Sequence, residues 1–231
     1  LVMKIHTSSE PLKETAKALS DTLEKYKNTD VLLLLAGGSA LQVLDEVDTS
    51  FINEYTTIMM MDERFTADAK NNNFLQMTKT FFYTKLTNTQ CSFLPTVPEE
   101  NESHDDFSNR IEKDLATYLE THPNCTVVAL FGIGPDGHTG AIFPMTHEEF
   151  IDTYGQGNLY TKVVYPKNPF VNRSSITPKF IKRYITQSLV YAVGEAKLPV
   201  LSTITDPYEL HEMPAHIHEL IESSLYTDSR L

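Results

Sequence analysis

The sequence predicts an α/β fold, a three-layer αβα sandwich around a mainly parallel, Rossmann-like sheet. Three observations point there. Apolar runs without alternation, Val31–Leu35 and Thr126–Phe131, suit parallel strands covered on both faces. Segments with helical spacing separate such runs, the first carrying Leu12, Ala16, Leu19, Leu23 and Tyr26 at steps of four and three. The runs end in glycines or charged residues, as strands do where an open sheet binds a ligand.

In order along the chain, Ser8, Ser9 and Pro11 are start signals for the first helix. Val31–Leu35 reads as a buried strand, followed by a glycine turn and a helix beginning near Ser39. Thr57–Met61 reads as a second strand that ends in charged residues. Asn71–Tyr83 and Phe107–Leu119 carry helical periodicity, and the polar stretch Glu99–Asp106 between them fits a surface loop. Thr126–Phe131 is a third buried strand, 160–166 and 185–193 are strand-like, and the segment after Gly194 returns to helix. With no repeat, low-complexity tract or linker, residues 1–231 read as one domain.

At 231 residues the chain can bury a core without disulfide or metal staples. A formal charge of −12 argues against a nucleic-acid or anionic-membrane surface. No apolar run approaches the roughly 20 residues of a membrane helix, and the N-terminal LVMKIHTSSEPLK lacks a signal-peptide core, so the expected compartment is cytoplasmic. Cys91 and Cys125 have no metal spacing and read as buried free thiols. In so acidic a chain, a basic residue beside a glycine turn is a better anion-binding candidate than it would be in a neutral one.

Four strand ends carry candidate chemistry: AGGS, MDER, GIGPDGH and AVGEAK. Gly132, Gly134 and Gly137 have G-x-G-x-x-G spacing, yet they lie past mid-chain, the next strand-like run ends Tyr165-Pro166 without an acid, and Pro135 removes a backbone donor. Dinucleotide binding is therefore not expected. Gly37, Gly38 and Ser39 can present amides and a hydroxyl at a helix start, an anion site; the bland alternative is a glycine turn with Ser39 as N-cap. Asp62, Glu63 and Arg64 read either as a solvated turn or as site residues. Asp136, two residues before His138, can orient the imidazole or share its proton; an incidental His in a turn is the alternative. His211, His216 and His218 lack a metal-site spacing, Pro214 interrupting them, and read as structural or surface residues.

Taken together, LAGGSAL, MDERF…NNNF, FGIGPDGHTGAIFP, NRSSIT, VGEAK and, more faintly, MPAHI resemble the 6-phosphogluconolactonase family, within the wider group that includes glucosamine-6-phosphate deaminases. The pieces occur in the family's order between Leu35 and Ile217. The resemblance implies a one-domain α/β sandwich, monomeric or a small homo-oligomer, that hydrolyses 6-phosphoglucono-δ-lactone without metal or cofactor. It implies that His138 is the general base with Asp136 beside it. Gly37, Gly38, Ser39, Arg173 and Lys197 would hold the phosphate, and Asp62, Arg64 and Asn73 would line the sugar side. Backbone amides of the Gly134–His138 turn are candidate donors to the developing oxyanion.

Deaminases resemble D-G-H-I-A-F-N-E-P at this turn, with a Glu before the Pro; here Phe143 precedes Pro144 and that carboxylate is missing. Departures from the lactonase pattern are Ala36 before the glycines, Ala40-Leu41 where Thr-Pro is usual, Thr66-Ala67 in place of Val-Pro, and Gly-Ala-Ile after Thr139. An amino-sugar-phosphate deaminase and a non-catalytic sugar-phosphate sensor are the alternative functions.

Overall fold

The computed structural model describes residues 3–230. The first half runs β1 (Lys4–Thr7), α1 (Pro11–Tyr26), β2 (Val31–Leu35), α2 (Leu41–Leu44), β3 (Thr56–Met60), β4 (Asp62–Arg64), α3 (Asn73–Met77), α4 (Phe81–Lys85) and β5 (Ser92–Leu94). The second runs α5 (His104–Thr121), β6 (Thr126–Gly132), α6 (His147–Tyr154), β7 (Tyr160–Val164), β8 (Asn172–Ile176), α7 (Pro178–Tyr184), β9 (Ile185–Tyr191), α8 (Leu198–Leu201) and β10 (Ser223–Thr227). A 3-10 turn at Gly38–Ala40 leads into α2, and another spans Pro214–Glu219.

Seven strands pair in parallel in the order β1-β10-β9-β6-β2-β3-β5, with helices on the sheet. This is the expected α/β class. Every residue of β2 and β3 is buried, which is why neither run alternates. Each such Leu or Ile contributes about 1.5–3 kcal/mol of burial. α1 packs on β9 and β10 through Ala16, Leu19 and Leu23, all at most 1% exposed. β2 and β6 are neighbours, Leu35 lying opposite Leu130. From this pair the chain winds outward in both directions, through β3 and β5 on one side and β9 and β10 on the other. Loops diverge at such a switch point and leave a crevice at the strand carboxyl ends.

Several boundaries differ from expectation. The run 160–166 does form a strand, β7, but it belongs to a second, antiparallel sheet of order β4-β8-β7, against which α5 packs. Asp62-Glu63-Arg64 is strand β4 of that sheet, with Asp62 and Glu63 buried, so the solvated-turn reading fails. The helical pattern over Asn71–Tyr83 is two helices, because the Thr80 side chain accepts from Tyr83 N–H and starts α4 afresh. The polar stretch Glu99–Asp106 is only partly loop: Ser103 caps α5, and Asp105 and Asp106 sit in its first turn, where the helix dipole favours carboxylates. The helix expected near Ser39 is short, and Ser39 does not cap it. The helix expected after Gly194 is a turn at Glu195–Lys197 and the four residues of α8. Cys91 and Cys125 are free thiols and half-buried rather than buried. Among the described residues no helix is long and apolar enough to cross a membrane.

Candidate active site at the carboxyl ends of β2 and β6

A cavity of about 130 Å³ opens at the switch point. The loop after β2 supplies Ala36, Gly37, Gly38 and Ser39, and the end of β6 supplies Gly132 and Ile133. Asp62 and Arg64 come from β4, Asn73 from the start of α3, Arg173 from β8, Lys197 from the loop after β9, and Gly140 closes the wall. All eight residues expected to bind substrate, drawn from segments far apart in the chain, therefore line one cavity. Asp136 and His138 do not line it. They lie on the turn whose two ends, Gly132-Ile133 and Gly140, do.

The cavity is cationic. Its lining carries Arg64, Arg173 and Lys197 against the single carboxylate of Asp62, in a chain whose net charge is −12. Arg173 Nη2 donates to Asp62 Oδ2 in a buried ion pair. Asn73 Nδ2 donates to Asp62 O at 3.0 Å, which fixes the amide against Gly37, where any Cβ would collide with it. Arg64 is held by its Nη1 bond to the Asn71 carbonyl (3.0 Å) and by stacking 3.9 Å from the Phe170 ring centroid. Burial, then the neighbouring Arg173, holds the Arg64 guanidinium below its ordinary range. Burial alone lowers Lys197, which has no carboxylate within ion-pair distance among the described residues. Three buried polar atoms at this cavity, Arg64 Nε, Arg173 Nε and Asn73 Oδ1, have no partner. Native proteins leave few such groups unsatisfied, so two orphan donors and one orphan acceptor call for a polar ligand. The first amides of a helical turn likewise lack intrahelical partners, and here they belong to the Gly37–Ser39 loop.

Glu63 was not singled out from the sequence beyond its place in D-E-R. Strand alternation sends it to the opposite face from Asp62 and Arg64, and it is 0% exposed. Its carboxylate accepts from Arg64 N–H (2.8 Å), Asn73 N–H (2.5 Å), Phe74 N–H (3.0 Å) and Thr96 Oγ1 (2.9 Å). One buried side chain thus ties β4 to the start of α3 and fixes two cavity residues by their backbones. Burial pushes Glu63 up to about 8, with these donors pulling the other way.

On the turn after β6, Gly134 N–H donates to His138 O (2.8 Å) and Gly137 N–H to Gly134 O (3.0 Å). His138 N–H donates to Asp136 Oδ1 at 3.2 Å. Three of the amides expected to serve an oxyanion, those of Gly134, Gly137 and His138, are therefore used within the turn itself, and Pro135 has none, which leaves the Asp136 amide. His138 Nδ1 lies 2.5 Å from the same Asp136 oxygen. A carboxylate only accepts, so it fixes the neutral tautomer with the proton on Nδ1 and the lone pair on Nε2. Burial raises Asp136, but the His138 side-chain hydrogen bond, the imidazole's charge and the backbone N–H bonds together outweigh it, and the carboxyl ends below its usual range. The His138 side chain is 25% exposed and its Nε2 is unpartnered among the described residues, so water reaches it. Its ring tilts against Phe143 at 4.9 Å, and Phe143 lies under the Arg173 guanidinium at 5.9 Å, which joins the turn to the cavity.

Residues 6–226 match the profile of the family described as glucosamine-6-phosphate isomerases/6-phosphogluconolactonase. The chain belongs to that family. A search of curated protein sequences gives no match. Among solved structures, the fold of this family member is similar to a 6-phosphogluconolactonase from Shewanella baltica, with a TM-score of 0.77 at 20% identity over 98% of this chain and 96% of that one. It is similar to a Thermotoga maritima 6-phosphogluconolactonase (TM-score 0.77, 19% identity, 98% of each chain). It is also similar to that of Trypanosoma brucei (TM-score 0.75, 19% identity, 97% of this chain and 95% of that one).

Proposed function

We propose that this family member hydrolyses a phosphorylated sugar δ-lactone, 6-phosphoglucono-δ-lactone being the substrate that best fits its residues. The observation that carries the reading is the pairing of a cavity holding three cations to one carboxylate with an adjacent His138 whose Nδ1 is held by Asp136 and whose Nε2 is unpartnered. In this reading the phosphate takes Lys197, the Gly37–Ser39 loop and the guanidiniums, since a dianion needs charge-assisted donors. Asn73 Oδ1 accepts from a sugar hydroxyl. Nε2 removes a proton from water as its oxygen attacks the lactone carbonyl, and Asp136 stabilises the imidazolium. The tetrahedral oxyanion then collapses with cleavage of the bond to the ring oxygen, which takes the proton back from Nε2 and leaves the open-chain acid.

Phe143 favours hydrolysis over deamination. At the position before Pro144 it is fully buried, stacked on Tyr165 with centroids 4.4 Å apart, and in contact with the His138 ring. An apolar group there cannot relay a proton to a sugar ring oxygen. The test is lactone hydrolysis above the spontaneous background, with glucosamine 6-phosphate as the competing substrate. Turnover of the lactone that His138→Ala lowers by about 10²–10⁴-fold is the expected result. Turnover at the background rate, or ammonia released from the amino sugar, overturns the reading.

A further inference from the structure

The turn that carries His138 is gripped from outside by a segment with no part in the chemistry above. Within Met213–His218, the Met213 sulfur packs on Gly137, where a Cβ would strike it. The Ala215 N–H donates to the Gly137 carbonyl at 2.9 Å. His218, 0% exposed, places Nε2 3.1 Å from Thr139 Oγ1, on the residue next to His138.

The donors around His218 run in one direction. Thr139 Oγ1 donates to the Gly132 carbonyl at 3.0 Å, which spends its only proton. It must therefore accept from Nε2–H of His218. Nδ1 is then the ring's acceptor, and Ser188 Oγ lies 3.4 Å from it, with Ser223 Oγ donating to Ser188 at 3.2 Å. Ser223, Ser188, His218 and Thr139 thus form a buried chain that ends on the Gly132 carbonyl, at the foot of the turn. The chain needs a neutral imidazole, and burial among Phe131, Ser188 and Thr139 pushes His218 down to about 3, with no charged neighbour contributing. A fully satisfied buried network rigidifies what it touches. This one touches the two ends of the 132–139 loop.

We propose that His218 is a positioning residue: through Thr139 Oγ1 it locks the turn so that His138 and Asp136 keep the geometry that aims Nε2 at the attacking water. The inference rests on His138 acting as the base. A Val at position 139 keeps the shape of Thr and deletes the hydroxyl, while Ser keeps the hydroxyl. In Thr139→Val, which leaves the cavity's cations in place, kcat is expected to fall about tenfold with KM within about twofold, the signature of a misaligned transition state with unchanged binding. Thr139→Ser is expected to restore kcat to near the wild-type value. His218→Phe is expected to behave as Thr139→Val, and the double variant no worse than about twofold beyond either, because both break the same link. The downfield NMR resonance of the His138 Nδ1 proton, read without substrate, should shift in Thr139→Val and not in Thr139→Ser. Wild-type kcat in folded Thr139→Val overturns the proposal. If the wild type turns over no lactone, an Nδ1 resonance identical in Thr139→Val and wild type overturns it instead.

Discussion

Arg64 and Arg173 stand directly opposite each other across the antiparallel β4–β8 pair. Like charges in that relation destabilise a sheet, and only Arg173 has a carboxylate partner, Asp62. Arg64 has a carbonyl and an aromatic ring. In the function proposed above, the substrate's phosphate offsets that repulsion by binding in the cavity that both guanidiniums share with Lys197.

Inorganic phosphate should therefore stabilise the wild type. At a concentration about ten times its Kd the gain is about 1.4 kcal/mol, read as a rise in Tm. Arg64→Met keeps the stem on Phe170 and removes the like-charge contact. Its stability without ligand should stay within about 1 kcal/mol of wild type, while the phosphate-dependent rise shrinks. A full rise in Arg64→Met would remove Arg64 from the anion site.

His138→Ala is expected to lower kcat by about 10²–10⁴-fold, the contribution of a placed general base, and to leave KM nearly unchanged. Asp136→Asn removes the charge that fixes the tautomer and stabilises the imidazolium; kcat should fall about 10²-fold. A variant at Asp136 that loses affinity but not rate would contradict its place beside the base.

Lys197→Met should raise KM for the phosphorylated lactone and leave hydrolysis of the unphosphorylated lactone unaltered. Because burial lowers the Lys197 ammonium's pKa, phosphate affinity should begin to fall with rising pH before an ordinary lysine titrates. Phosphate titrations across alkaline pH check this, and an affinity that is flat there would count against the assignment.

Apolar runs in the sequence mark β2, β3 and β6, and β9 shows as a strand-like stretch; β10, fully buried in the same parallel sheet, reads SSLYT and carries no such run. β8 was visible only as the motif NRSSIT. Its serines are buried by hydrogen bonding, Ser174 Oγ to Ser108 Oγ at 2.7 Å and Ser175 Oγ to the Ala141 amide at 3.1 Å, so no hydrophobic period marks it. β1 is exposed at the sheet edge, and KIHT carries no strand pattern. The gathering of Gly37, Asp62, Asn73, Arg173 and Lys197 into one cavity followed from family likeness, since no spacing rule links segments so far apart. His218 reads from sequence as structural or surface and Glu63 as part of a D-E-R turn, because a buried polar residue looks, in one dimension, like an ordinary one.

Glu63→Gln tests the tie between β4 and α3. A Gln amide offers one acceptor oxygen in place of two, so at least one buried donor is orphaned, at about 1–3 kcal/mol. Displacement of Arg64 and Asn73 should also raise KM more than it lowers kcat. The folded-state pKa of Glu63, about 8, lies above its ordinary value, so the wild type's protonation-linked stability is fully present below about 4.5 and is lost as pH rises through 8. The stability gap between wild type and Glu63→Gln should narrow over that window in urea titrations. A gap that stays constant over that window would mean the carboxylate is ionised throughout.

His218 gives the opposite slope. Its folded-state pKa, about 3, lies below the ordinary imidazole value, so the unfolded chain binds the extra proton first as pH falls. The stability it contributes is present above about 6.5 and is lost as pH falls toward 3, by on the order of a few kcal/mol. Carboxylates titrate in the same range, so the informative quantity is the difference between wild type and His218→Phe. Replacement of the buried imidazole takes the donor from Thr139 Oγ1 and the acceptor from the Ser188 hydroxyl proton, and His218→Phe should be the less stable protein at pH 7. It should also lose less stability than wild type between pH 7 and pH 4, with the two denaturation midpoints converging. Parallel midpoints over that interval would mean that His218 does not titrate on unfolding, and that the direction of the buried chain has been read wrongly.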